Sequence, residues 1–393
     1  MSFLKGSVTC QRFRLAGPKP RLFGDEHLDR LRALGIGSQK LASADGSQVG
    51  WAAGRHVLDS AFSDQANVYP DHLVWDFWGE KNAIPADRMK AEYEIELAAL
   101  SKDNPSGFPT SKQKREARAY AVEKLTGEAR DGRWKKWKCV PVAWDAGRNE
   151  LWFGATSPSA AARFAHLFEE TFCGDLTQGA LAGKPQAVTA GTLALALNPA
   201  AKNERLSPFV KGVTPEEAAW CPMPEVQPDF LGNEFLVWLW FQGDSEADTI
   251  TTPDGAEVTF MFSGGVKLVC PRGETGDDTI NHASGVRTPE ARAALKVGKL
   301  PRKAAFTLVR HDDQFSFKLD AETLAVSGAK LPAPDGEVRG RELETTRLGQ
   351  VRDLAEIVDQ LFAAFLERRL SAYWAEDLAR IQKWIGRGTG VKA

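Results

Sequence analysis

One stretch of the chain, residues 111–138, combines cations and aromatic rings in a way that suits nucleic acid. It holds ten Lys/Arg against four Asp/Glu, a local charge of +6 in a chain whose net charge is −2 at pH 7. Each Lys or Arg placed at a phosphate displaces condensed counterions, so a concentrated cationic stretch favours binding to a sugar-phosphate backbone. Trp134 and Trp137 add flat surfaces on which an unpaired base can stack, or wedges that can enter a base step.

The same residues also fit a purely structural role. Trp134 and Trp137 can anchor the start of a buried strand, with the neighbouring lysines as its solvated edge. Within the preceding helix, Ala117, Ala121 and Leu125 form an apolar stripe at i, i+4 spacing, and cations and acids are mixed around it. The sequence alone leaves both interpretations open.

Eight cations of this stretch are the candidate phosphate contacts, and two aromatic residues are candidates to wedge or stack. Phe108 is one of them, because it falls in the turn before the basic helix, where it can be exposed at a tip; Trp134 is the other. Phosphate contacts position a protein on DNA without reading its sequence. The cations are Lys112, Lys114, Arg115, Arg118, Arg133, Lys135, Lys136 and Lys138.

The totals are those of an ordinary globular protein rather than of a wholly basic nucleic-acid coat. The length of 393 residues suggests two or three domains. The five cysteines are scattered and form no CxxC pair, so we expect them to be reduced. We expect no membrane span, since no apolar run of about 18 residues exists, and a cytoplasmic location, since the first residues lack the features of a secretory signal.

The hydrophobic periodicity predicts an α+β protein with mixed or antiparallel sheets, flanking helices, a protruding helical hairpin and C-terminal helices. We predict a strand over residues 188–197, a helix or buried strand over 233–241, and β-hairpins that turn at 253–255 and 263–265. The expected domains are an N-terminal α+β domain (1–175) with a helical arm (about 84–130), a connector (176–232), a C-terminal α+β domain (233–340) and a C-terminal helical extension (341–393).

The familiar sequence signatures of enzymes are absent. The six histidines fit no HExxH or Cys/His metal spacing, and GxxxxGK[ST], GxSxG and a Gly-rich dinucleotide turn do not occur. The chain is therefore expected to be neither an enzyme nor a binder of a cofactor or metal. Asp277-Asp278 and Asp312-Asp313 leave one alternative open, a metal-dependent nuclease, although adjacent acids in loops are usually solvated turn residues.

Two regions share an order of short patterns with a known family. The first runs from Trp51, in a Gly-Trp pair, through KQKREARAYAVEKL and the basic-aromatic segment to a Trp-Asp pair and the strand LWFGATS. The second, residues 288–332, contains Gly298-Lys299, Phe315, Phe317, Asp320 and Lys330-Leu331. In this order the patterns resemble RdgC, the recombination-associated DNA-binding proteins of proteobacteria. The turn NPSGFP, the block 233–270 and the helices beyond about residue 341 depart from the family pattern.

The resemblance implies an α+β fold and a ring-shaped homodimer that encloses duplex DNA with little sequence preference and restrains RecA-driven strand exchange. It also implies association with the nucleoid. Through the Gly-Lys match it adds Lys299 and Arg302 as secondary candidates for DNA contact. A neutral overall charge with a local basic stretch agrees with a ring that is acidic outside and basic in its bore.

A second hypothesis remains open beside DNA binding. The helical hairpin or the C-terminal helices could form a protein-interaction module that grips a recombinase, a phage factor or a defence factor. In that case the basic stretch would meet an acidic protein surface. A complex that survives nuclease treatment would favour this hypothesis.

Overall fold

The computed structural model describes most of the 393 residues. Parts of two predicted features fall outside the described residues: the centre of the turn at 104–109, and much of the connector. The described ranges are 3–17, 19–38, 47–102, 104, 107–174, 179–210, 218, 220–221, 226–282, 285–334 and 336–386.

The chain groups into two compact units, each assembled from segments that are distant in sequence. The larger unit comprises Met1–His27, Asn67–Val74 and Val140–Ala393, and the smaller unit comprises Leu28–Ala66 and Trp75–Cys139. The division into four sequence intervals concerns which stretches fold independently, and it stays a prediction.

Ten α-helices occur in the described part of the chain. They include the two arms of the predicted helical hairpin, α3 and α4, and the two predicted C-terminal helices, α9 and α10. Their bounds are α1 Asp25–Ala33, α2 Asp64–Asn67, α3 Ala86–Ser101, α4 Ser111–Glu128, α5 Pro158–Phe172, α6 Ala190–Leu197, α7 Phe230–Ser245, α8 Pro289–Lys296, α9 Gly340–Arg369 and α10 Trp374–Gly386.

Twelve strands are found in the same described ranges. Two of them, β3 and β4, have residues in both units. The bounds are β1 Val8–Leu15, β2 Gln48–Ala52, β3 His72–Asn82, β4 Lys135–Asp145, β5 Glu150–Phe153, β6 Pro185–Ala187, β7 Thr249–Thr251, β8 Glu257–Val269, β9 Asp278–Ile280, β10 Leu300–Arg310, β11 Asp313–Asp320 and β12 Val326–Lys330.

In the larger unit the strands lie in the order β4-β5-β1-β12-β11-β10-β8-β7, with β6 beside β1 and β9 beside β8. These pairings are antiparallel. Sequential hairpins such as β10–β11 account for much of the order, because short turns join antiparallel neighbours directly. Helices combine with antiparallel strands, so the predicted α+β class is confirmed.

Helix α7 forms the centre of the larger unit. Every residue from Phe230 to Phe241 is buried, and most of them are apolar, so the helix is enclosed on all sides. The ring of Phe235 lies 5.5 Å from that of Phe362 and 5.7 Å from that of Phe365, both on α9, and Trp240 lies 5.7 Å from Trp384 on α10. The C-terminal helices therefore belong to the core of their own unit.

In the smaller unit, β2 pairs with β3 from Gln48–Glu80 to Ala52–Asp76, and β3 lies next to β4. Trp51 on β2 makes edge contacts with Trp75 and Phe77 on β3, at ring distances of 5.8 and 6.0 Å. Helices α3 and α4 lie side by side in opposite directions, as the predicted helical hairpin requires. The basic helix is therefore one arm of a hairpin in the unit that also holds the start of β4.

The prediction of a strand over residues 188–197 is wrong, because Ala190–Leu197 is helix α6. The run TLALAL alternates large and small apolar residues and so imitates a strand, but both residue types are strong helix formers. Thr189 starts the helix: its hydroxyl accepts from the Thr192 amide at 3.1 Å, and its own amide donates to the Thr192 hydroxyl at 2.8 Å. This reciprocal cap fixes the local choice.

The hairpin predicted at residues 263–265 is also wrong. Strand β8 passes straight through these residues, and its pairing with β10 shifts register there. A Cβ at Gly264 would lie 3.0 Å from the Cβ of Ala305, and one at Gly265 would lie 2.8 Å from Asn281 Oδ1. These glycines allow close approach at an irregular pairing rather than a turn. The hairpin predicted at 253–255 is confirmed between β7 and β8.

Candidate nucleic-acid interface

The helical hairpin is fastened at its tip by one side chain, that of Gln113. The Thr110 hydroxyl accepts from the Gln113 amide at 3.2 Å, and Gln113 Oε1 accepts from the Thr110 amide at 2.8 Å, which is a capping box at the start of α4. Gln113 Nε2 donates to the Leu100 carbonyl at 2.5 Å and to Asn104 Oδ1 at 2.9 Å. The end of α3 and the start of α4 are therefore held together.

The apolar stripe of α4 is its buried face, as the spacing predicts. Ala117, Ala121 and Leu125 are fully buried, and Lys124 forms an ion pair with Glu92 of α3. These contacts fix the rotation of α4. The rotation decides which cations face solvent.

Three predicted cations of α4, Lys114, Arg115 and Arg118, share one flank of the helix. Arg118 follows Lys114 by four residues and Arg115 by three, all three are exposed, and they form no ion pair within the described ranges. Lys112 lies elsewhere on the helix, and its Nζ is 3.8 Å from Glu116 Oε1. Because Glu116 partly compensates its charge, Lys112 is set apart from the three cations of this flank.

Successive side chains at the start of β4 point to opposite sides of the strand. Lys135 and Trp137 share a side with Glu80 of β3: Lys135 Nζ lies 2.6 Å from Glu80 Oε1, and Trp137 Nε1 donates to Glu80 Oε2 at 2.7 Å. Lys136 and Lys138 point the opposite way. They are exposed, and neither forms an ion pair with a described residue.

Arg133 contacts both Asp131 and the ring of Trp134. Arg133 Nε donates to Asp131 Oδ2 at 2.7 Å, and the guanidinium lies 5.7 Å from the centre of the Trp134 ring. The hydrogen bond from Arg133 lowers the pKa of Asp131. Trp134 is half-buried, whereas Phe108, at the turn of the hairpin, is 77% exposed. Of the two predicted aromatic contacts, Phe108 is the more accessible.

The secondary candidates, Lys299 and Arg302, lie in the larger unit and are already neutralised. Lys299 is buried, with Nζ 2.7 Å from Asp278 Oδ2. Arg302 donates to both oxygens of Glu322, at 2.8 and 2.7 Å, and stacks 4.7 Å from the centre of the Trp220 ring. A phosphate would have to displace a carboxylate at either position, so the structure makes both weak candidates for DNA contact.

Two exposed cations of the smaller unit, Lys81 and Arg130, were not among the predicted contacts. The Ala83 amide donates to the Trp134 carbonyl at 2.9 Å, and this register continued along the two strands sets Lys81 opposite Lys136. Lys81 lies on β3, outside the basic stretch 111–138, so only the pairing of the two strands brings it beside Lys136.

The acidic pairs proposed for a nuclease are placed differently from each other. Asp277 and Asp278 are each within 2.7 Å of a lysine, Lys267 and Lys299 respectively, while Asp312-Asp313 lies where β10 turns into β11. No group of three or more His, Cys, Asp or Glu within the described ranges is arranged to hold a metal ion. The nuclease alternative stays a prediction.

The smaller unit also contains a partly buried carboxyl with an unusual pKa. Burial raises the pKa of Asp76 on β3 to about 6, against the opposing effect of a hydrogen bond from the Cys139 thiol. Burial in turn raises the pKa of Cys139 to about 12, so this thiol stays protonated. Asp76 is therefore a group of this unit that changes charge near neutral pH.

A cavity of about 410 Å³ lies in the larger unit at the C-terminal turn of α7. None of the predicted site residues lines it. The residues that line the cavity include Trp240, Gly243, Asp248, Phe260, Met261 and Arg287.

No helix within the described ranges is long and apolar enough to cross a bilayer.

Comparison with protein-family models finds no family that matches the chain, and comparison with curated proteins finds no match either.

Proposed function

We propose that this chain is a sequence-nonspecific DNA-binding protein that contacts duplex phosphates through the smaller unit. One observation carries the proposal: five of the predicted contacts, all exposed cations of that unit, have no carboxylate partner within the described ranges. In a chain of net charge −2, cations left unneutralised on one unit are available to replace counterions at phosphates. These five, the unpaired cations, are Lys114, Arg115, Arg118, Lys136 and Lys138.

The structure narrows the predicted contacts by separating unpaired cations from paired ones. Lys135 and Arg133 each hold a carboxylate at 2.6 Å, and the secondary candidates of the larger unit are paired as well. A paired cation gives little net attraction to a phosphate, because its charge is already compensated. The unpaired cations are therefore expected to supply most of the salt-dependent binding.

The resemblance to RdgC proteins supports an extension of the proposal. By that resemblance the chain forms a ring-shaped homodimer around duplex DNA and restrains strand exchange by a RecA-type recombinase, in association with the nucleoid. A closed ring compensates for weak individual contacts, because dissociation requires the ring to open. The measurement of molar mass in solution, alone and with DNA, tests the dimer directly.

The test of DNA binding compares two matched double variants. Lys136→Gln with Lys138→Gln removes two unpaired cations, whereas Lys90→Gln with Lys184→Gln removes two exposed lysines whose Nζ atoms lie 3.8 and 3.3 Å from Glu94 and Glu169. The first pair is expected to weaken binding to every duplex sequence by about tenfold at low salt, and the second to change it by less than about twofold. Equal effects of the two pairs would contradict the proposal.

A protein-interaction module is the second candidate, favoured by apolar side chains that the helical hairpin leaves in solvent. Ile95, Phe108, Tyr120 and Val122 are all exposed, and exposed apolar residues on one element are typical of contact surfaces. A complex that survives nuclease digestion and is lost with Ile95→Asp and Val122→Asp would support this candidate. Retention of duplex DNA by the purified chain would favour DNA binding.

A further inference from the structure

The first half of β4 has a strand on only one side. Strand β5 pairs with β4 only from Val142 onwards, and the last bond before it runs from the Gly154 amide to the Pro141 carbonyl at 2.8 Å. Among the described residues, none outside β3 forms a backbone hydrogen bond with Trp137 or Cys139. Residues 135–139 are therefore a free edge of β4.

The register between β3 and β4 shows which backbone groups face this free edge. The Ala83 amide donates to the Trp134 carbonyl, and near the other end of the two strands the Ala146 amide donates to the Asp71 carbonyl, both at 2.9 Å. The two bonds fit one unbroken antiparallel register, in which every second residue of β4 bonds to β3. Trp137 and its alternate neighbours belong to the other set, so their N–H and C=O groups point to the free edge.

These backbone groups select the class of ligand. Donors and acceptors along a strand edge alternate at the spacing of a peptide backbone, so an added strand can satisfy both. A phosphate backbone accepts hydrogen bonds but donates none, so it would leave the outward carbonyls without a partner. The free edge is therefore suited to an extended polypeptide.

The side chains on the two sides of the free edge define the sequence of such a polypeptide. Lys136 and Lys138 lie on one side, exposed and without an ion pair to any described residue. On the other side, the Trp137 side chain is 47% exposed, and Lys135 and Glu80 compensate each other at 2.6 Å. A residue opposite Trp137 would meet an aromatic surface, and its two neighbours would meet lysines. The lysines also oppose pairing with the same edge of a second copy.

We propose that the free edge of β4 binds an extended acidic segment of a partner protein as an added antiparallel strand. In this strand an apolar residue lies opposite Trp137, between acidic residues opposite Lys136 and Lys138. The inference does not depend on the proposed function, and it concerns a different surface from the apolar side chains of the helical hairpin. In a chain that binds DNA as proposed, the added strand would exclude the duplex from two of the unpaired cations.

The first experiment measures the binding of labelled synthetic peptides to the full-length protein, without DNA, by fluorescence anisotropy. One peptide alternates Glu and Val, and the other has the same residues in two separate blocks. The alternating peptide is expected to bind about tenfold more tightly, because only it can set Val at Trp137 and Glu at both lysines. Equal affinities would overturn the inference.

Methylation of the peptide backbone tests the hydrogen bonds directly. In the proposed register the Val amides face β4 and the Glu amides face away from it. Methylation of the Val amides should weaken binding by about tenfold or more, since each methyl group removes a hydrogen bond and occupies the space of the edge. Methylation of the same number of Glu amides should change it by less than about threefold. Equal effects would show binding by charge alone and would contradict the added strand.

A pair of protein variants makes the same comparison on β4. Trp137→Pro and Trp137→Ala both remove the ring, but only the proline also removes the outward N–H group. Proline is tolerated where a strand does not need its N–H, as at Pro141 of the same strand. Trp137→Pro should bind the alternating peptide about tenfold more weakly than Trp137→Ala. Equal binding by the two variants would contradict the inference; if the proline variant does not fold, the methylated peptides decide with wild-type protein.

The free edge and the proposed function can fail separately. Selective binding of the alternating peptide by a protein without duplex affinity would keep the added strand and remove the function. Duplex binding in a protein that does not distinguish the alternating peptide from the block peptide would keep the function and remove the added strand.

Discussion

Within the larger unit, the guanidinium of Arg302 donates two parallel hydrogen bonds to the carboxylate of Glu322, 2.8 and 2.7 Å long. Glu322 is buried, and its Oε1 also accepts from Asn233 at 2.6 Å. Burial raises the pKa of Glu322, and the pair with Arg302 opposes that shift. This cation, a DNA contact only by the resemblance to RdgC proteins, is in the structure the partner of a buried carboxylate.

Substitution of Arg302 should separate stability from binding. Arg302→Gln leaves Glu322 without its charge partner, and we expect a loss of about 2–4 kcal/mol in the free energy of unfolding. Duplex affinity should stay within about twofold of wild type. Denaturant unfolding and fluorescence anisotropy measure the two quantities. A variant of native stability that binds DNA weakly would place Arg302 at the interface after all.

The flank of α4 should contribute to binding independently of β4. Arg115→Gln with Arg118→Gln removes two unpaired cations without touching the buried stripe, so the fold should be unaffected. The slope of log affinity against log salt should become shallower by about 2, one for each lost phosphate contact. Lys112→Gln, at an exposed pair with Glu116, serves as a control with a smaller change. An unchanged slope in the double variant would exclude this flank from the interface.

The tip of the helical hairpin should open when its central side chain is removed. Gln113→Ala keeps the bond from its backbone amide to the Thr110 hydroxyl but removes the side-chain half of the capping box and the bonds to Leu100 and Asn104, and caps of this kind contribute about 1 kcal/mol. Hydrogen exchange should accelerate in the first turn of α4 and the last turn of α3. Thr126→Ala, on the exposed surface of the same helix, is the control. Exchange that stays at wild-type rates would show that packing alone holds the tip.

The helical hairpin and the buried stripe of α4 could be predicted because both are local patterns of spacing. The ion pairs could not. Glu322 is 20 positions from Arg302, and nothing in the sequence indicates that the fold brings the two together. Alternating Leu and Ala misled the prediction for α6, and Gly264 was assigned to a turn because a close approach between strands leaves the same residue type. Sequence spacing found the cations, but only the fold shows which of them are compensated.

Asp76 should make stability depend on pH. In the unfolded chain its carboxyl has an ordinary pKa near 4, whereas burial raises it to about 6 in the folded chain. Between these values the folded state holds a proton that the unfolded state has lost, so the free energy of unfolding falls as pH rises from about 4 to above 6. Relative to wild type, Asp76→Asn should therefore gain about 1–3 kcal/mol between pH 4 and pH 7.

Thermal unfolding of wild type and Asp76→Asn across that pH range measures the effect. Asp64→Asn, an exposed carboxylate of the same unit, controls for a general change in charge. A stability difference between Asp76→Asn and wild type that is constant from pH 4 to pH 7 would contradict a raised pKa at this position.

The measurement that tests the central claim most directly is the affinity of the wild-type protein for duplex DNA of two unrelated sequences over a range of salt concentrations. If the five unpaired cations all contact phosphates, both sequences should give the same slope of log affinity against log salt, about −4.5. Affinity that is insensitive to salt, differs strongly between the two sequences or is absent at low salt would contradict the account.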